Sequence, residues 1–157
     1  MLINIDPILS PEVLHTLRAM GHGDKLILCD SNFPAYSMNS RVHRIDGVDA
    51  AKAAKAIFSI FPLDSFIKYP VIRMQIDDNP DELNDVHKEL NNIMHKVAGT
   101  NWEMGSIERF KFFVFCKFFI IFSLFFAWVS EIKVKKIRIK KYLNIKAHLF
   151  YQHDLLY

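Results

Sequence analysis

A histidine and an aspartate in the first thirty residues have the types and placement that acid–base chemistry needs. His22 lies between Gly21 and Gly23, so a tight, flexible backbone carries its imidazole. Asp30 follows a short apolar run and should emerge where a strand ends, the usual place for polar ligands in an α/β sheet. Histidine transfers protons near neutral pH and a carboxylate can fix a hydroxyl, which suits sugar or carbonyl chemistry. The open alternative is that His22 caps the preceding helix and Asp30 the following loop.

Other polar residues allow a functional or a purely structural interpretation. Asp64, after Pro62, can bind a hydroxyl or cap a turn, and the pattern favours the turn. Arg109 alternates with apolar neighbours, which predicts a strand that exposes its charge or a surface salt bridge. His87 and His95 lack an acidic partner at metal-ligand spacing, so we expect them to be solvated. The sequence contains no phosphate-binding loop, no dinucleotide-binding glycine pattern and no zinc cluster.

Helices should alternate with short apolar strands and position these residues. Ser10 followed by Pro11 predicts the start of a helix. The next elements expected are a strand over 26–29, a helix over 51–61, a strand over 71–76 and a helix over 81–97. This order predicts an α/β fold, a single domain with a central β-sheet flanked by helices.

Length and charge exclude several classes of protein. The chain has 157 residues, enough for one domain. Up to position 111 there are 12 basic and 15 acidic residues, and afterwards 8 and 2. The first part is therefore slightly acidic, which argues against a nucleic-acid partner. Two cysteines without paired spacing and an N-terminus that does not resemble a secretory signal predict a cytoplasmic protein.

The C-terminal part differs in composition from the rest. Eight of the 15 residues over 112–126 are Phe, against five in the first 111. Residues 112–129 contain one charge and reach the lower length limit for a membrane span. We favour instead that part of this run is an interior strand or helix, because Lys117 makes insertion marginal and the basic run over 132–141 would force the N-terminal domain outward. A third hypothesis is that the segment is translated noncoding sequence or an alternative exon.

Several short motifs, taken in order, resemble the L-fucose mutarotase family and its D-ribose pyranase relatives. The resemblance covers about residues 5–113. The motifs that carry it are Leu9-Ser10-Pro11-Glu12, Met20-Gly21-His22-Gly23-Asp24, Asp30-Ser31-Asn32-Phe33-Pro34-Ala35, Arg44-Ile45-Asp46-Gly47, Leu63-Asp64-Ser65-Phe66 and Ile107-Glu108-Arg109-Phe110.

The resemblance implies a cytoplasmic homo-oligomer that interconverts sugar anomers without cofactor or metal. It implies His22 as the proton donor, Asp30 and Arg109 as substrate contacts, and Asp64 and Met74 as further positions of the sugar pocket. The arginine of the Ile-Glu-Arg-Phe motif is more similar to the fucose branch than to the ribose branch. L-fucose is therefore the expected substrate, and a D-ribose pyranase-like activity is the alternative.

The sequence departs from the family after Phe113. We therefore divide the chain into a mutarotase-like domain over 1–113 and a divergent tail over 114–157. The family's late Tyr-Gly-Asn motif, whose Tyr and Asn contact the sugar, is absent, and Tyr142-Leu143-Asn144 has only its spacing. A catalytically impaired sugar-binding variant is accordingly a second functional hypothesis, and a membrane-tethered domain a third.

Overall fold

Helices and parallel strands alternate along the chain in the computed structural model, which describes residues 2–125. The helices are α1 (Pro11–Ala19), α2 (Ala35–Met38), α3 (Ala50–Phe58), α4 (Asp85–Ala98) and α5 (Arg109–Phe118). The strands are β1 (Leu26–Cys29), β2 (Val42–Asp46), β3 (Val71–Met74), β4 (Met104–Ile107) and β5 (Ile120–Phe125). The prediction of an α/β fold is confirmed.

Polar side chains set where the main helices begin. Ser10 Oγ accepts a hydrogen bond from the Val13 amide at the start of α1, and Asp49 does the same for α3. Asn84 caps α4, which therefore begins four residues after the predicted start at Asp81. Each such cap contributes about 1 kcal/mol.

The strands are divided between two parallel sheets. One has the order β1-β5-β2, so the last strand of the described part of the chain lies at its centre. Leu26 of β1 is aligned with Ile120, and Val42 of β2 with Ile121. The second sheet pairs β3 with β4, with Val71 aligned with Met104. All strands in a sheet end at the same edge, where we expected the polar site residues.

The central strand β5 supplies residues to both hydrophobic cores. Phe122 is fully buried in a core formed mainly with α1, β2 and α3. Ile121, its neighbour, is fully buried in a second core with β1 and Cys116 of α5. Successive side chains of a strand point to opposite faces, so β5 joins the two cores. The prediction that part of the Phe-rich run is an interior element is confirmed.

The remaining interpretations of the Phe-rich run concern segments that lie partly or wholly outside the described part. Within residues 2–125, no helix is long and apolar enough to cross a membrane. Residues 126–129 of the proposed span, the basic run over 132–141 and the look-alike motif Tyr142-Leu143-Asn144 lie outside the described residues.

Candidate active site

A tight turn between α1 and β1 presents His22. The Gly21 amide donates a hydrogen bond to Asp24 Oδ2 (2.9 Å), and the Asp24 amide donates to the Gly21 carbonyl (3.2 Å). Gly23 has φ +87°, a left-handed conformation that glycine adopts without steric cost. The His22 side chain is 79% exposed. The turn therefore holds the imidazole out where a ligand can reach it.

Asp64 meets His22 from the segment after α3. Its Oδ2 lies 3.6 Å from His22 Nδ1, and its side chain is 25% exposed. Its Oδ1 accepts a hydrogen bond from the Phe66 amide (2.9 Å), so the predicted turn cap is confirmed. The Phe66 ring stands edge-on to the imidazole, with 5.3 Å between centroids. One carboxylate thus caps its own turn and lies close to the imidazole at the same time.

Asp30 follows β1 as expected, and one of its oxygens organises the next loop. Oδ1 accepts hydrogen bonds from the amides of Asn32 (2.9 Å) and Phe33 (3.1 Å). The loop-capping alternative is confirmed for Asp30. The Asp30 carboxylate is exposed, and within residues 2–125 no hydrogen bond engages its second oxygen. That oxygen is available to a ligand hydroxyl.

Arg109 lies in a helix, so the prediction that it belongs to a strand is wrong. β4 ends at Ile107, and Glu108 is the N-cap of α5. The Glu108 carboxylate accepts hydrogen bonds from the amides of Phe110 (2.7 Å) and Lys111 (3.1 Å). This capping overrides the short alternation of polar and apolar residues. Arg109 is the first residue of α5, half-buried, and within the described part of the chain it forms no salt bridge.

Met74 and Arg109 lie at the same edge of the two-stranded sheet. Met74 is the last residue of β3 and is aligned with Ile107, the last residue of β4. The Gln75 amide continues the ladder by donating to the Ile107 carbonyl (2.9 Å). Arg109 follows two residues later, so both predicted sugar contacts extend from neighbouring strand ends.

The loop of Asp30 packs against the helix that Arg109 begins. The Phe33 ring contacts Phe112 edge-on (centroids 5.9 Å apart) and stacks on Phe113 (5.6 Å). The five predicted site residues thus fall into two groups. One is the His22–Asp64 pair, and the other comprises the strand-end positions Asp30, Met74 and Arg109. Among the described residues, no hydrogen bond or ion pair joins the two groups.

Phe66 was not predicted as a site residue. The available signal was an aromatic side chain two residues after Asp64, within one of the family motifs. Its 83% exposure and its edge contact with His22 leave an apolar surface beside the imidazole. Such a surface suits the C–H face of a sugar.

The two histidines of α4 are not solvated as predicted, because the helix turns both toward the protein. His95 Nε2 lies 2.9 Å from the Trp102 carbonyl oxygen. His87 Nδ1 is buried without a partner in the described structure. Burial, followed by the nearby charge of Arg73, lowers the pKa of His87. In residues 2–125, no group of three His, Cys, Asp or Glu side chains is arranged to hold a metal ion.

Comparisons with known proteins relate this architecture to a single family. The model of the RbsD / FucU transport protein family matches residues 3–122, so the match continues beyond Phe113. An L-fucose mutarotase of Haemophilus influenzae is 33% identical over 138 residues, which are 87% of this chain and 96% of the relative.

Solved structures give the same relationship. The crystal structure of the protein Atu2016 has a TM-score of 0.75 and 41% identity, covering 80% of this chain and 87% of that chain. The fucose mutarotase of Streptococcus pneumoniae, solved in complex with L-fucose, has a TM-score of 0.70 and 25% identity, covering 79% and 88%.

Proposed function

Because this chain belongs to the RbsD / FucU family, we propose that it is an L-fucose mutarotase, an isomerase that interconverts the α and β anomers of L-fucose. Relatives with that activity match most of its length, and a fold neighbour binds L-fucose. The observation that carries the proposal is an exposed imidazole with a carboxylate 3.6 Å from one ring nitrogen. That arrangement supplies the proton transfers that anomer exchange requires.

The chemistry needs two coordinated proton transfers. The anomeric hydroxyl loses a proton while the ring oxygen gains one, and the open aldehyde rotates and closes again. Asp64 faces Nδ1 of His22, which leaves Nε2 to donate a proton to the ring oxygen, while a carboxylate of the site accepts the proton of the anomeric hydroxyl; ring closure reverses both transfers. A positioned acid or base contributes about 10²- to 10⁴-fold in rate. The reaction therefore needs no cofactor in this proposal.

The strand-end residues would bind the sugar. The second oxygen of Asp30 can accept a hydrogen bond from a hydroxyl, and the guanidinium of Arg109 can donate to one. Met74 supplies an apolar contact at the edge of the two-stranded sheet, from which Arg109 also extends, and Asp64 combines ring orientation with pocket formation. These roles follow from the family resemblance and are compatible with the exposure of Asp30 and the partial exposure of the other three.

A homo-oligomer in the cytoplasm completes the proposal. Within residues 2–125 no hydrogen bond or ion pair joins the two groups of site residues, and a second subunit beside them would enclose the sugar. Both cysteines are free, which suits a reducing compartment. Sedimentation velocity of the full chain, with and without L-fucose, tests the assembly, and a monomer under both conditions would contradict it.

Saturation-transfer NMR tests the activity directly. We expect the 157-residue chain to accelerate anomer exchange of L-fucose more than that of D-ribose. His22→Gln should slow exchange about 10²- to 10⁴-fold while circular dichroism and urea unfolding stay unchanged. The matched control is His15→Gln, because His15 is an exposed histidine on α1 and its substitution should leave the exchange rate unchanged. Wild-type exchange rates in His22→Gln would refute the catalytic role.

The second candidate is a sugar-binding protein without catalysis. It is favoured by the absence of the family's late Tyr-Gly-Asn motif between residues 114 and 157. In that case L-fucose would perturb resonances of the wild-type chain without accelerating exchange. Binding with acceleration excludes this candidate, and acceleration for D-ribose alone would favour a pyranase.

A further inference from the structure

A cavity of about 660 Å³ lies beside the two-stranded sheet and is lined by residues of β3, β4, α4 and the adjoining loops. Its size is typical of small-molecule sites, which range from about 300 to 1,000 Å³. Arg73 and Ser106 are aligned across β3 and β4, and both line it. Met74, the next residue of β3, points to the opposite face of the sheet. None of the five predicted sugar-site residues lines this cavity.

Arg73 brings a buried positive charge to the cavity wall. Its side chain is 8% exposed, and its Nη2 donates a hydrogen bond to the Pro80 carbonyl. Its Nη1 is buried and has no hydrogen-bond partner in the described structure. A guanidinium keeps its charge at any physiological pH, so it cannot escape the cost of burial by losing a proton. The guanidinium of this lining residue therefore lacks one hydrogen-bond acceptor, which an anionic ligand would supply.

Neighbouring groups do not provide that acceptor. His87, the nearby titratable residue, can carry only a positive charge and so cannot compensate that of Arg73; burial, and then Arg73 itself, lower its pKa. A carboxylate is the acceptor that best fits a guanidinium in geometry and in charge. In the described structure no hydrogen bond holds Nη1 in place, while Nη2 bonds the Pro80 carbonyl.

The rest of the lining selects among carboxylate ligands. The carboxylates of Asp81 and Glu103 also line the cavity, and they disfavour a ligand whose net charge is negative. If the ligand also carries an ammonium group, the two carboxylates attract that group and the ligand's net charge is no longer negative. Tyr69 and Trp102 add aromatic surface, which an apolar side chain can cover.

From this charge pattern we infer that the cavity binds a small zwitterion, a free α-amino acid with an apolar side chain. Its carboxylate binds Arg73, and its ammonium group lies toward Asp81 and Glu103. This site is additional to the proposed sugar site and does not depend on mutarotase activity, because the two use different residues.

Three ligands of nearly equal shape test the inference. L-leucine carries both charges, 4-methylpentanoate lacks the ammonium group, and 3-methylbutan-1-amine lacks the carboxylate. Titration calorimetry on the full chain should show the tightest binding for L-leucine, weaker binding for each of the other two ligands, and at least a tenfold loss when the carboxylate is removed. The chain has two tryptophans, so a Trp128→Phe background isolates the fluorescence of Trp102 and locates binding at the cavity.

Arg73→Met should abolish the preference for L-leucine over the amine, and Arg73→Lys should keep part of it. Arg44→Met is the matched control, because Arg44 is exposed on β2 and does not line the cavity. Equal binding of the three ligands to the wild-type chain would overturn the inference, and so would the absence of binding at ~10 mM ligand. Both results are obtained on the wild-type chain and hold even if Arg73→Met fails to fold. An equal fluorescence response to glycerol would overturn it in favour of a neutral polyol.

Discussion

Replacing Asn39 by aspartate should destabilise the protein by detaching the C-terminal end of α5. Asn39 Nδ2 donates hydrogen bonds to the carbonyls of Cys116 (2.9 Å) and Phe119 (2.6 Å), and Oδ1 accepts one from the Arg41 amide (2.8 Å). Asn39→Asp preserves shape and the contact with Arg41, but places an oxygen opposite two carbonyl oxygens.

The expected magnitude follows from these contacts. Two lost hydrogen bonds contribute about 1 kcal/mol each, and partly buried carbonyls left without a donor add a further penalty. We expect the free energy of unfolding to fall by about 2–4 kcal/mol. With a urea m-value of about 1.5 kcal/mol/M, the unfolding midpoint should fall by about 1 M or more.

Urea unfolding followed by circular dichroism measures this change. The control is Asn92→Asp, because Asn92 is exposed on α4 and its substitution should stay within about 0.5 kcal/mol of wild type. If Asn39→Asp is as stable as Asn92→Asp, the side chain of Asn39 does not hold α5, and the argument from its hydrogen bonds is refuted.

Two further predictions concern buried titratable groups. Burial raises the pKa of Cys29 to about 12 and of Cys116 to about 11. Both thiols should therefore react slowly with a disulfide reagent in the native chain at pH 8, and at the full rate once urea has unfolded it. Rapid labelling of the native chain would contradict their burial. Because the pKa of His87 is lowered in the folded state, the unfolded chain binds more protons and stability should fall as pH decreases through about 6.5. Urea titrations from pH 7.5 to 5 should show that the free energy of unfolding depends less on pH in His87→Gln than in the wild type. His15→Gln should keep the wild-type dependence on pH.

Local signals in the sequence were sufficient to predict several elements. Ser10 and Pro11 specify the start of α1, and the apolar run over 26–29 matches β1. Arg109 shows the limit of such signals, because two alternating positions predict a strand only when no competing cap is present. Glu108 bonds the next amides, and that bonding is visible only in three dimensions.

Long-range relationships could not be predicted from the pattern. The family resemblance named His22 and Asp64 separately, but their contact spans 42 positions and depends on how the loop after α3 returns to the glycine turn. The same holds for β5, since composition marks its residues as apolar without specifying the strands they join. The sequence did not indicate that Nη1 of Arg73 is buried without a hydrogen-bond partner, because a single arginine in a short strand is ordinarily exposed.

The central position of β5 has a consequence for the order of folding. β1 and β2 have β5 as their shared partner, although Leu26 and Ile120 are 94 positions apart. During synthesis, β1 and β2 leave the ribosome before residues 120–125, so they remain unpaired until β5 has been made. Such distant pairing slows folding and prolongs the exposure of unpaired strand edges. We expect nascent chains to need chaperone protection until β5 has emerged.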